Sequence, residues 1–295
     1  GSLLYRVLKG LGVKPSVYVG NRYVDGYGLS KQGIDYIDEH YDTDLLITVD
    51  LGIAQHDLVE YAKSKGMEVI ITDHHEYEKD DLPECLFINP KVKNDYPFKH
   101  LSGCGVIWKV CQVLTGENLY EYLDIVALST IADVVKLIGE NRVIVKHGLD
   151  KINNTNNKGL KELIRVKEIS RVNEGDVGYR LAPPINAVGR LGQANKGLEL
   201  LTTDNIYKAG ELANELDVIN EKRKRMQKEN YDSVKEQVNE DDNILIARGD
   251  FKAGIVGLLA GDLKEEYHKP SIVINENGKG SCRSVKPLHM YHLLK

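Results

Sequence analysis

Two continuous apolar runs in the first quarter of the chain predict neighbouring β-strands. Leu45–Val49 and Val69–Thr72 are rich in β-branched residues, and a helical segment that ends at Gly66 separates them. Strands buried on both faces have unbroken apolar sequences, and their alternation with helices indicates a parallel sheet. Asp50 follows the first run and Asp73 follows the second. Because ligands bind beyond the carboxyl ends of the strands in such sheets, both aspartates are expected at the binding edge.

Helical spacing of apolar residues accounts for most of the remaining chain up to residue 170. A helix is predicted around Leu4–Leu11, a short strand at Val17–Val19, and a further helix after an N-cap at Ser30. More helices are predicted at residues 103–114, 120–132, 140–149 and 160–164. Residues 171–198 are richer in Gly, Pro and Arg, and we expect them to form loops.

The last third of the chain predicts a separate unit. A long polar helix is expected from Thr203 and Asp204 to about Asn239, and a strand–helix–strand pattern follows it, with another short strand after residues 278–281. The predicted fold is therefore α/β, with a parallel-sheet domain over residues 1–198, a connecting helix over 199–240 and a smaller α/β domain over 241–295. The chain stops inside a predicted helix, so this second domain is expected to be incomplete.

Composition and charge narrow the class of protein. Of 295 residues, 42% are apolar and 28% are charged, which is typical of a globular protein. No apolar run approaches the roughly 18 residues of a membrane span, and the first residues do not resemble a secretory signal. Four cysteines without metal-binding spacing indicate a reducing, cytoplasmic environment. The net charge of -5 argues against a protein that binds duplex nucleic acid nonspecifically, because such proteins are usually basic. Any contact with phosphate therefore needs a local basic patch or a cleft that holds metal ions.

The candidate chemistry lies in carboxylates and imidazoles. Asp73-His74-His75 follows the second predicted strand, Asp50 follows the first, and Asp133 stands alone among apolar neighbours. Such residues in one crevice are suitable ligands for Mn²⁺ or a similar ion, and a bridging aspartate can hold two ions for phosphoryl chemistry. One aspartate after a strand is usually only a turn or cap residue, and adjacent histidines in a strand point to opposite faces. Their joint occurrence is what favours a metal site.

At these residues the sequence resembles a known family. The segments 49–52, 72–75 and 130–135 (Val-Asp-Leu-Gly, Thr-Asp-His-His and Thr-Ile-Ala-Asp-Val-Val) resemble the second, third and fourth motifs of the DHH phosphoesterase superfamily. Further segments are similar to those of the RecJ single-strand-specific exonucleases: residues 21–29, 101–106, 185–190, 254–257 and 278–284. The resemblance covers nearly the whole chain in order.

The resemblance implies a role for each candidate residue. Asp50 would bridge two Mn²⁺ or Mg²⁺ ions, His74 and Asp133 would bind the second ion, His75 would contact the scissile phosphate, and Asp73 would support the histidines. Substrate contacts are expected from Arg190, Arg283, Arg22 and Ser281, since arginine meets phosphate with paired hydrogen bonds. For Arg190, an internal salt bridge is an equally good interpretation.

The chain departs from the family pattern in three places. The first motif, Asp-x-Asp-Gly, should precede Leu3 and is absent, so weak or no activity is expected of the chain as it stands. The Gly-Gly-His segment that closes the second domain is also missing. Residues 251–254 (Phe-Lys-Ala-Gly) replace the usual Trp-His-Pro-Gly, which puts a substrate contact there in doubt.

Three functions are compatible with these features. The leading hypothesis is a 5′-to-3′ exonuclease on single-stranded DNA in repair and recombination, with a single-strand-binding protein or a helicase as candidate partners and no membrane. The polarity comes from the resemblance alone. The alternatives are a phosphodiesterase for short oligonucleotides or cyclic dinucleotides, and a non-catalytic replication scaffold derived from the same superfamily.

Overall fold

A three-stranded parallel sheet forms in the first part of the chain. The computed structural model describes residues 1–288 and 290, apart from residues 22, 27, 79–80 and 93–95. Strand β1 (Leu45–Val49) pairs with β2 (Glu68–Thr72), and β2 pairs with β3 (Leu86–Ile88), all in parallel. The two predicted apolar runs and their parallel pairing are confirmed. Val49 lies opposite Thr72, so both strands end at the same edge of the sheet.

Helices make up most of the rest of the first part. Their bounds are α1 Ser2–Gly10, α2 Lys31–His40, α3 His56–Ser64, α4 Gly103–Thr115, α5 Leu123–Ala132, α6 Gly139–Asn153, α7 Lys158–Val166, α8 Glu174–Asp176, α9 Ala182–Arg190 and α10 Asn195–Thr202. The predicted N-cap is confirmed, because the Ser30 hydroxyl accepts a hydrogen bond of 2.8 Å from the Gly33 N–H. A 3₁₀ turn at Tyr120–Tyr122 precedes α5, and a π-helical turn at Val177–Leu181 precedes α9.

Helix α11 (Ile206–Lys235) leads into a second, smaller sheet. Strands β4 (Leu245–Gly249) and β5 (Ser271–Asn275) are parallel, with α12 (Ala253–Tyr267) between them, and β6 (Gly280–Arg283) pairs antiparallel with β5. The predicted long helix begins slightly later than expected, because Asn205 rather than Thr203 or Asp204 is its N-cap. The mixed α/β fold with a parallel sheet is confirmed.

Two predictions about local structure are wrong. Residues 171–198 form α8, the π-helical turn, α9 and the start of α10 instead of loops. The proline pair that suggested a loop occupies the first turn of α9, where the missing N–H costs no helical hydrogen bond. Val17–Val19 is not a strand, because it pairs with no strand among the described residues; the Tyr18 hydroxyl donates to Asp25 at 2.8 Å. Strand β3 was not predicted, because its three residues are too short for a clear pattern.

The buried hydrophobic residues of the described chain form three separate cores, two of which include residues of α11, while the third joins α2, α3 and β2. The largest core gathers side chains from Leu3 to Ile219, and the second gathers side chains from Val234 to Val273. Helix α11 contributes Leu216 to the first core and Val234 to the second. The division at residues 198 and 240 stays a prediction. Within the part of the chain that the structure describes, no helix has the length and apolar character to cross a bilayer.

Candidate metal centre

Asp50 occupies an unusual backbone position at the end of β1. Its N–H donates to the Thr72 carbonyl at 2.8 Å, and its φ of +69° lies in the left-handed region that non-glycine residues seldom adopt. The carboxylate packs against the first residue of α4. A Cβ atom added at Gly103 would lie only 2.1 Å from Asp50 Oδ1, so this close approach requires glycine. The start of α4 also favours a negative charge through its helix dipole.

Asp73 is buried beneath the site and accepts four hydrogen bonds. Its carboxylate receives the N–H groups of Ile53 (3.1 Å), His74 (2.7 Å) and His75 (3.2 Å), and it contacts Nδ1 of His75 at 2.6 Å. Burial disfavours the charged carboxylate, but the hydrogen bonds from His75 and from the backbone outweigh it and lower the pKa of Asp73 below its ordinary value. Asp73 therefore fixes the orientation of the His75 ring and leaves Nε2 for a ligand.

His74, just beyond the end of β2, contacts the aspartate that follows β1 and the aspartate at the end of α5. Its Nε2 atom is buried and, within the described residues, makes no hydrogen bond, yet it lies 3.1 Å from Asp50 Oδ1 and 3.3 Å from Asp133 Oδ2. Burial alone would lower the pKa of His74, but the carboxylates of Asp50 and Asp133 raise it above its ordinary value. A buried imidazole nitrogen between two carboxylates fits a cation, and the mixed carboxylate–imidazole donor set suits Mn²⁺ or a similar borderline ion.

Asp133 caps the end of α5 and is followed by a strained residue. Its N–H donates to the Ser129 carbonyl at 2.9 Å, and Val134 has a φ of +55°. Burial raises the pKa of Asp133 above its ordinary value, and the charge of Asp50 acts in the same direction. The loop after Asp133 is held by Asn141, whose amide donates to the Lys136 carbonyl at 2.9 Å.

The five predicted residues at the sheet edge come together. Among the described residues, ligand atoms of Asp50, His74 and His75 lie within 4.8 Å of one another, and Asp133 reaches the group through His74. The His75 side chain is 59% exposed, as a group that meets a substrate must be. Both histidines lie beyond the end of β2, so strand alternation does not separate them. Their individual roles remain predictions.

A second group of predicted residues lies near the start of α12. Arg283 Nη1 donates to Ser281 Oγ at 3.2 Å and to the Cys282 carbonyl at 2.9 Å. Arg190 Nη1 donates to the Gly254 carbonyl at 3.2 Å, which joins α9 to the second unit. Arg22 lies outside the described residues. A cavity of about 460 Å³ in this region is lined by Gly26, Ala253, Val256, Lys279, Gly280, Ser281 and Arg283.

Two positioning residues were missed by sequence reasoning. Gly103 belongs to a segment that carries the family resemblance, and a Gly-x-Gly pair at the start of a helix could have signalled a close approach. Asn141 is fully buried and also donates to the His100 carbonyl at 2.5 Å. It therefore connects the segment just before Gly103 with the loop that follows Asp133. No local signal in the sequence distinguishes this asparagine from a surface residue of α6.

The fold and the site together define a candidate metal-dependent hydrolase of the α/β class. Residues 1–130 match the DHH family, N-terminal domain. The single-stranded-DNA-specific exonuclease RecJ of Bacillus subtilis (strain 168) is 38% identical over 306 residues, which cover 99% of this chain and 39% of that protein. The chain belongs to the DHH family, and RecJ proteins are among its relatives.

Solved structures of relatives share the fold. The crystal structure of exonuclease RecJ bound to manganese has a TM-score of 0.87 at 31% identity, covering 99% of this chain and 76% of that chain. The crystal structure of RecJ from Thermus thermophilus in complex with Mg²⁺ has a TM-score of 0.77 at 27% identity, covering 99% of this chain and 41% of that chain. The chain thus spans about two fifths of the length of the curated Bacillus relative.

Proposed function

We propose that the protein containing this chain is a metal-dependent exonuclease that hydrolyses phosphodiester bonds of single-stranded DNA from the 5′ end, in DNA repair and recombination. The observation that carries the proposal is the position of His74 Nε2, buried between the carboxylates of Asp50 and Asp133. The names of its RecJ relatives, which are specific for single-stranded DNA, support the substrate class. The polarity rests on the family resemblance.

Each residue of the centre has a proposed task. Asp50, His74 and Asp133 would hold Mn²⁺ or Mg²⁺, with Asp50 shared between two ions. The chemistry that bound divalent ions supply is activation of a water molecule and neutralisation of charge on the phosphate. His75, oriented by Asp73 through Nδ1, would present Nε2 to the scissile phosphate.

Substrate contacts are proposed at the second group of residues. Arg190, Ser281 and Arg283 lie around the start of α12, and Arg283 lines the cavity there. Arginine forms paired hydrogen bonds with phosphate, which suits this group to a phosphate of the strand. Arg22 is proposed for the same task from the resemblance.

The test uses the protein in the longest form that its gene encodes. Single strands labelled at the 5′ or the 3′ end are incubated with Mn²⁺, and the expected result is stepwise release from the 5′ end with duplex left intact. Asp133→Asn should slow release by more than about a hundredfold, because loss of a ligand exceeds the usual effect of losing an outer partner. Asp150→Asn, an exposed aspartate on α6, is the matched control.

Three results would count against the proposal. They are release of nucleotides in the absence of a divalent ion, a release rate that Asp133→Asn leaves unchanged, and release of nucleotides from the 3′ end alone; each outcome contradicts the proposal. Turnover of a dinucleotide that matches or exceeds turnover of a long strand would favour a short-oligonucleotide phosphodiesterase instead.

Location and protein partners are also proposals. A cytoplasmic location agrees with a DNA substrate. A single-strand-binding protein or a helicase would supply single strands for the enzyme, and we propose one of these as a partner.

A further inference from the structure

A stripe of exposed and half-buried residues runs along the π-helical turn and α9. Tyr179, Pro183, Asn186 and Arg190 follow one another at spacings of four, three and four residues, which place them on one face of a helix. Tyr179 is 84% exposed. Among the described residues, its ring stacks on no other aromatic ring and its hydroxyl makes no hydrogen bond.

This exposed tyrosine is held by a well-packed backbone. Val177 and Leu181, on either side of it, are fully buried in the largest core. Arg180 Nη1 donates to Asp176 Oδ1 at 2.9 Å, which fixes the same turn from outside. The ring is therefore presented to solvent from a fixed position, so its exposure does not come from a loose loop.

The helix that carries the stripe packs against the end of α5 near Asp133 and reaches the second unit at Arg190. A methyl group added at Gly178 would lie 3.9 Å from Ile131 Cγ2, two residues before Asp133 on the same helix end. At the other end, Arg190 donates to the Gly254 carbonyl. Arg190 lies eleven positions after the tyrosine along the helix, a distance of about 16 Å.

We propose that Tyr179 is a stacking platform for a nucleobase of the single strand bound at the metal centre. The inference rests on the proposed function and adds a base contact to it. An exposed ring on a helix that packs near Asp133 at one end and carries an arginine at the other fits an unpaired base whose strand also carries phosphates. The exposed amide of Asn186 on the same stripe offers hydrogen bonds to a base edge.

The test measures binding separately from turnover. Anisotropy of a labelled oligothymidylate is titrated with the protein in Ca²⁺. Tyr179→Ala should weaken binding by about fivefold to a hundredfold, the range for losing one stacked base, and Tyr179→Phe should bind like the unsubstituted protein. In Mn²⁺, Tyr179→Ala should raise KM while kcat at saturating strand stays unchanged. An oligonucleotide with abasic positions should bind the alanine variant and the unsubstituted protein equally.

Tyr207→Ala provides the matched control, because Tyr207 is 82% exposed and lies in the first turn of α11. If Tyr179→Ala binds as tightly as this control, the inference is wrong, and the ring serves another purpose such as contact with another part of the protein. If the unsubstituted protein neither binds nor cleaves single strands, the proposed function is wrong, and the inference, which rests on it, is wrong as well.

Discussion

The contact between Gly103 and Asp50 gives the sharpest prediction for the metal centre. In Gly103→Ala, the new Cβ atom would meet Asp50 Oδ1 at 2.1 Å and Cγ at 2.5 Å. Carbon and oxygen atoms rest at roughly 3.5 Å, so the carboxylate or the start of α4 must move by about 1 Å. Metal–ligand distances tolerate only about 0.2 Å. The alanine variant is therefore expected to bind Mn²⁺ at least about a hundredfold more weakly.

The consequence for stability can be worked out in the same terms. At a Mn²⁺ concentration a hundred times the Kd, binding adds about 2.7 kcal/mol to the free energy of unfolding. A hundredfold weaker Kd reduces this gain to about 0.4 kcal/mol. Gly103→Ala should thus lose most of the rise in Tm that Mn²⁺ is expected to give to the unsubstituted protein, whatever the substitution costs in the absence of metal.

Gly105→Ala on the same helix is the control. Both glycines are buried in the first turn of α4, so both substitutions make the same chemical change in the same part of the helix. At Gly105, however, the nearest atom to the added Cβ is 3.3 Å away on Leu101, and no carboxylate is involved. Electron paramagnetic resonance of free Mn²⁺, with thermal unfolding in parallel, measures both properties. If Gly103→Ala and Gly105→Ala bind Mn²⁺ equally well, Asp50 is not a ligand in the way proposed.

Two further substitutions test the supports around the centre and between the units. Asp73→Ala leaves without an acceptor the buried N–H groups that donate to the Asp73 carboxylate. The free energy of unfolding, measured with urea, should therefore fall by about 3 kcal/mol or more. A fall of less than about 1 kcal/mol would contradict the buried hydrogen bonds. Gly254→Ala would bring a Cβ atom within 1.9 Å of the Arg190 carbonyl oxygen. Calorimetry should therefore show a loss of about 1–3 kcal/mol in the free energy of unfolding. An unchanged Tm would contradict this contact between α9 and α12.

Much of the site could be predicted because it depends on local patterns. The strands β1 and β2 are unbroken apolar runs, and an aspartate follows each one. Parallel pairing then brings Asp50 and Asp73 to the same edge without any further information. Asp133 was also identified locally, since a lone carboxylate among apolar residues needs a partner.

The rest depends on contacts between segments far apart in the chain. The Gly-x-Gly pair at residue 103 can signal a close approach but does not identify Asp50 as the neighbour, and nothing near residue 141 indicates that it holds the Asp133 loop. The helices within 171–198 were missed for a different reason. Gly and Pro usually mark loops, but here the prolines occupy the first turn of α9 and the core buries Val177, Leu181 and Val188 at helical spacing.

Backbone strain in the centre is concentrated at its carboxylates. Asp50 and Val134, the residue after Asp133, both adopt left-handed φ values, which cost of order 1–3 kcal/mol each and persist only where the surroundings enforce them. The hydrogen bond from Asp50 N–H to Thr72 and the Asn141 amide on the Asp133 loop provide that enforcement. Two negative side chains are thereby held against one buried imidazole nitrogen, an arrangement that gains stability when a cation binds. The fold bears this strain in advance, so the carboxylates would need little rearrangement to bind the proposed metal ion.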